Sequence, residues 1–144
     1  MGKTVRDVMT ESPRSVEPGE TVVKAARVMR DEDVGSLPVL EDGRLVGMIT
    51  DRDLAIRVIA EAMSPERISV GDVVSPEPVS AAPDDDLDEA LRLMARHQVR
   101  RLPVVEGERL VGILAQADVA LAEKEKKTGE VVEAISEPSE ADRR

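Results

Sequence analysis

Residues 36–55 read SLPVLEDGRLVGMITDRDLA, and residues 101–120 read RLPVVEGERLVGILAQADVA. The two stretches are one pattern written twice, 65 residues apart. Extending that offset outward aligns Val5–Ala55 with Val70–Ala120 without a gap, and 20 of the 51 paired positions are identical. A fixed internal repeat constrains the fold more strongly than any local propensity. Two copies are too few for a solenoid, so two half-domains packed about a pseudo-two-fold axis are expected.

Each copy parses in the same order. In the first, Ser15-Val16 is a short extended stretch, and Glu17-Pro18-Gly19 turns the chain. Val22, Ala25, Ala26 and Met29 then fall at i, i+3, i+4 and i+7, one face of an amphipathic helix. Leu87, Ala90, Leu91 and Met94 repeat that spacing, with Asp86 and Glu89 as a capping box. Leu37–Leu40 and Leu45–Ile49 are apolar, β-branched runs joined by Glu41-Asp42-Gly43-Arg44, a hairpin signature. A second helix is expected from about Arg52 to Met63, with Leu54, Val58, Ile59 and Ala62 on its inner face. The fold class is therefore α/β, in the order β-α-β-β-α, twice.

Composition narrows the chemistry. Among 144 residues there are 20 Lys plus Arg and 30 Asp plus Glu, a formal charge of −10 that disfavours nucleic acid. The chain has no Cys, which excludes disulfides, thiolate nucleophiles and thiolate zinc sites. It has no Phe, Tyr or Trp, so any adenine must lie between aliphatic side chains. No apolar run approaches the roughly 18 residues of a membrane span, and the N-terminus lacks a secretory h-region. A cytoplasmic protein without membrane or nucleic-acid partners is expected. His97 is the sole His and cannot build a triad or a metal cluster alone, so neither catalytic nor metal-binding residues are assigned.

The L-P-V strand, the acidic turn, the R-L-V-G strand and an Asp at the next helix start resemble a CBS domain, and the tandem resembles a CBS pair, or Bateman module. The match covers residues 5–122. Within the family, His97-Gln98-Val99-Arg100-Arg101 and Thr50-Asp51-Arg52-Asp53-Leu54 closely resemble stand-alone bacterial CBS-pair proteins of the hypoxic-response type. The expected division is repeat 1 over 1–62, a linker over 63–69, repeat 2 over 70–122 and a charged tail over 123–144. In that tail Val131, Val132 and Ile135 suggest a short helix before a disordered end.

The ligand chemistry sits where strand meets helix. Gly47-x-x-Thr50-x-x-Asp53 places a hydroxyl and a carboxylate three residues apart, able to hold a ribose cis-diol beside the free N–H groups of a helix start. The same two residue types serve equally as a helix cap. The resemblance implies that this motif is the ribose signature. The second copy keeps Asp118 but has Ala115 in place of the hydroxyl, and it has Arg100-Arg101 where the first has Gly35-Ser36. Guanidinium groups are preferred phosphate forks, and the resemblance implies phosphate contacts at these two positions. One composite site would use Asp118, Arg100 and Arg101, helped by Thr50. The other would use Thr50 and Asp53, with Ser80 near the base. Asp51 and Asp53 would repel a phosphate there unless Arg52 or a divalent ion intervenes, which favours adenosine-like ligands or monophosphates.

The resemblance thus implies a non-enzymatic regulatory module. It would need no cofactor, would bind an adenosyl ligand (AMP, ADP, ATP or S-adenosylmethionine), and would signal through the shape of a homodimer to a separate effector protein. The alternative is a stress-associated interaction or structural protein that binds no nucleotide.

Overall fold

The computed structural model describes residues 2–76 and 78–130, with side-chain surroundings as far as Lys124. The tail residues Val131, Val132 and Ile135 lie outside the described residues. A short helix α1 (Val5–Val8) and strand β1 (Thr10–Glu11) precede α2 (Val22–Glu32), the hairpin β2 (Ser36–Glu41) and β3 (Arg44–Thr50), and α3 (Asp51–Leu54). The second copy repeats this as α4 (Val70–Val73), β4 (Ser75–Pro76), α5 (Leu87–His97), β5 (Arg101–Glu106), β6 (Arg109–Ala115) and α6 (Gln116–Glu130). No helix among the described residues is long and apolar enough to cross a membrane.

Both hairpins close as the sequence predicts. Glu41 pairs with Arg44 across a two-residue turn, Asp42-Gly43, in which both residues have positive φ (54° and 82°). That is the primed turn whose twist matches the strands, and Gly adopts it without a Cβ penalty. β2 and β5 also share a register shift at the same place, between Val39 and Leu40 and between Val104 and Val105.

The repeats exchange their opening segments. β1 pairs with β6 of the second copy, and β4 pairs with β3 of the first. Gly112 and Gly47 permit this: a Cβ on Gly112 would meet Met9 Sδ at 2.7 Å, and one on Gly47 would meet the Ser75 carbonyl at 2.5 Å. Val5 is buried in the second core with Leu102, Val104 and Leu114. Val70 and Val73 are buried in the first core with Leu37, Val39 and Ile49. The two hairpins meet at Arg44↔Arg109, where Leu45 N–H donates to the Glu108 carbonyl at 2.9 Å.

Three local expectations change. The buried face of α2 is Val22, Ala25, Val28 and Met29, and Ala26 is exposed. Asp86 caps α5 by accepting from Asp88 N–H at 3.3 Å, while Glu89 pairs with Arg92 instead of closing a box. The second helix of the first copy starts at Asp51 and passes into a π-helical stretch, Ala55–Ile59. Its wider turn, seen in Ala60 N–H donating to the Ala55 carbonyl at 2.8 Å, carries one extra residue and shifts the inner face. Val58 stays buried, but Ile59 is 72% exposed and Ala62 lies at the surface.

Candidate functional site

Both carboxylates stand at the third position of a helix that begins directly after a strand. In the first copy Thr50 is the N-cap of α3, and the pair forms a reciprocal capping box. Thr50 Oγ1 accepts from Asp53 N–H at 3.0 Å, and Asp53 Oδ2 accepts from Thr50 N–H at 2.9 Å. Asp53 is held firmly, its side chain 13% exposed, with its other oxygen 3.9 Å from Arg57 Nε. Asp51 and Arg52 are exposed on the same turn.

The second copy is built differently. Ala115 offers no hydroxyl, and Asp118 Oδ2 instead accepts from Thr10 Oγ1 at 3.2 Å. Thr10 arrives on β1, paired with Ile113 of β6, so the segment exchange delivers it. Sequence reasoning missed Thr10. Its signal was available: Thr10 aligns with Ser75 in the repeat, a hydroxyl kept at matching positions.

Arg101 joins the two halves. Its guanidinium donates to the Ser36 carbonyl at 2.7 Å, and Ser36 is the strand partner of Thr50. Burial lowers the Arg101 pKa from its ordinary value, opposed by the nearby carboxylates of Asp118 and Glu32. Glu32 in turn pairs with Arg14 at 3.2 Å. A half-buried cation therefore faces Asp118 at the seam, beside the strand end that carries Thr50.

Arg100 is exposed and lines a groove of about 360 Å³ with Leu91, Met94, Ala95, Gln98, Val99 and Gln116. Its carbonyl accepts from Gln116 N–H at 2.8 Å, as the Gly35 carbonyl accepts from Asp51 N–H. A second concavity, about 180 Å³, runs along α5 past Asp85, Glu89, Arg92 and Arg96 and touches none of the expected ligand residues. Ser80 is half-buried next to Ala81, which bridges to Val104. His97 is exposed at the end of α5.

A family model described as CBS domain matches residues 5–60 and again 70–125. The chain is 44% identical over 118 residues to a CBS domain-containing protein, YhcV, of Bacillus subtilis, covering 82% of this chain and 84% of that one. It is 38% identical over 136 residues to hypoxic response protein 1 of Mycobacterium tuberculosis, covering 94% and 95%. A crystal structure of that protein with two coordinated zinc ions superposes with a TM-score of 0.76 over 83% of this chain and 98% of that one. CBSX2 of Arabidopsis thaliana, a CBS-pair protein solved in complex with AMP, superposes with a TM-score of 0.77 at 32% identity, covering 88% and 99%. The chain has no Cys and one His, and no group of three or more His, Cys, Asp or Glu gathers among the described residues.

Proposed function

Since this chain belongs to the CBS domain family and carries two of its units as a regulatory pair, we propose that it senses an adenine nucleotide in the cleft between them. The observation that carries this reading is Arg101. A guanidinium held half-buried at the seam, with a carboxylate on one side and the other repeat's strand on the other, suits a ligand with both a phosphate and a ribose. Asp118 would take the ribose, Arg101 the phosphate, and Thr50 would lie next to Ser36 at the same mouth. Arg100, exposed one residue earlier, would add long-range attraction. The first half-site, Thr50 and Asp53 with Ser80 and Arg52 around it, would take a nucleoside or a monophosphate. AMP in the related CBSX2 supports that ligand class.

The same proposal includes a homodimer. Ile56, Ile59 and Leu121 are large apolar side chains left at the surface of the second helices, with Met63 exposed just beyond the first of them, and a second copy would cover them. A ligand at the seam would change how the halves sit and so the shape offered to an effector protein in the cytoplasm. Without Cys and with a single His, the chain gives no support to a turnover role.

One observation favours the alternative, an interaction protein that binds no nucleotide: Thr50 and Asp53 already satisfy each other in their capping box. Calorimetric or dye-based melting with adenosine, AMP, ADP, ATP, S-adenosylmethionine and NAD(H) decides between them. A ligand at about 100 times its dissociation constant should add roughly 2.7 kcal/mol. No shift with any of them would leave the interaction protein.

A further inference from the structure

In the first half-site the Asp53 carboxylate accepts from Thr50 N–H, whereas in the second the Asp118 carboxylate accepts from a side chain on another strand. We infer that Thr10 is the positioning residue of the second half-site, supplying from the opening strand of the first repeat a hydroxyl donor to the Asp118 carboxylate. This rests on the nucleotide reading above. Thr10 Oγ1 donates to Asp118 Oδ2 at 3.2 Å, which ties one carboxylate oxygen and leaves Oδ1 for a ribose hydroxyl. The first half-site has the same economy by another route: Asp53 Oδ2 is tied to Thr50 N–H. The counterpart of Thr10, Ser75, stands opposite Met48 on β3 as Thr10 stands opposite Ile113 on β6. There the local Thr50 cap already holds the carboxylate. Thr10 thus couples ligand affinity at Asp118 to the docking of β1 on β6.

The test uses Thr10→Val and Thr10→Ser in the full chain, with adenosine as the probe because it presents a ribose and no phosphate. Val suits an exposed strand position, so folding is retained and is checked by melting. Asp118→Ala identifies which binding class belongs to this half-site. Thr10→Val should weaken that class about tenfold and leave the other unchanged, with Thr10→Ser restoring it. Wild-type affinity in Thr10→Val would overturn the inference. A separate arm needs no ligand: the side-chain carboxyl ¹³C resonance of Asp118 should move in Thr10→Val and return in Thr10→Ser. If adenosine binds neither wild type nor any variant, the nucleotide reading fails, and an unmoved Asp118 resonance would sink the positioning role as well.

Discussion

The two half-sites began from one sequence pattern and hold their carboxylates in opposite ways. Asp53 is fixed from within, by the residue that caps its own helix. Asp118 is fixed from outside, by Thr10 at a distance of 108 residues along the chain, and it faces Arg101. The first half-site is self-sufficient, with the exposed acid Asp51 two residues from the half-buried Asp53. The second is assembled from both repeats and carries the cation. The second carboxylate therefore takes its hydrogen bond through the segment exchange, and the first does not.

The exchange itself supplies the largest test. Leu37 and Leu102 are equivalent and fully buried, one in each core. Truncating either to Ala should cost about 2–5 kcal/mol. Because each core contains the other repeat's opening helix, both variants should lose stability in one cooperative denaturant transition. Two separated transitions would show that the repeats unfold independently and that the exchanged segments couple nothing.

Next in size are the carboxylates. Asp118→Ala and Asp53→Ala each remove charge-assisted hydrogen bonds to a ribose, worth on the order of 1.5–3 kcal/mol. Each should abolish one class of binding in calorimetry and spare the other. Asp118→Ala should weaken adenosine, AMP and ATP alike. Equal losses at both classes from either variant would mean a single shared site.

Much of this comparison could be read from the chain. The 65-residue offset, the two hairpins and the strand-to-helix placement of Thr50, Asp53 and Asp118 follow from local spacing, because turn chemistry and period-two alternation act over a few residues. The π-helical stretch after Leu54 was not legible, since the apolar spacing there suits an ordinary helix. Nor was Thr10. A contact made through strand exchange has no signature at short range, and only the matching hydroxyl at Ser75 hinted at it. Arg100 and Arg101 look alike as a dipeptide, yet Arg101 is half-buried and donates to the Ser36 carbonyl, while Arg100 is exposed and lines a groove.

That last difference is a smaller, sharper test. Arg101→Ala should weaken AMP by up to about 1.5–3 kcal/mol and leave adenosine nearly unchanged, because adenosine has no phosphate to lose. Arg100→Ala should have a smaller, salt-sensitive effect on AMP. Equal effects from the two would return both arginines to one phosphate site. Wild-type AMP affinity in Arg101→Ala would remove the seam from the binding reading altogether.

Ala115→Thr would make the halves alike. An N-cap hydroxyl contributes about 0.5–2 kcal/mol relative to Ala by accepting from a first-turn N–H. Denaturant melts should show a gain in that range. In the Thr10→Val background the same substitution should leave adenosine affinity weakened, since a hydroxyl at 115 would accept from Asp118 N–H as Thr50 Oγ1 accepts from Asp53 N–H, and would give the carboxylate no donor. Full rescue would mean that a local cap replaces the Thr10 contact.

The smallest effect concerns the exchanged helices. α1 and α4 each open with a capping box, Thr4 with Asp7 and Ser69 with Asp72, and each is seated in the other repeat's core. The Asp7 carboxyl is held below its ordinary value chiefly because Thr4 N–H donates to it, at 2.9 Å, with Thr4 Oγ1 and the charges of Lys3 and Arg6 adding to the effect. A carboxyl depressed in the folded state stabilises the fold at pH above its unfolded value. That contribution is lost as pH falls through the folded value. Wild type should therefore lose stability on acidification more steeply than Asp7→Asn, with the two curves converging at the acid end. Asp7 is exposed, so the difference should be slight and is best read as melting temperature against pH for the two proteins side by side. Parallel curves would mean that the Thr4–Asp7 box does not help hold the first repeat's opening helix in the second repeat's core.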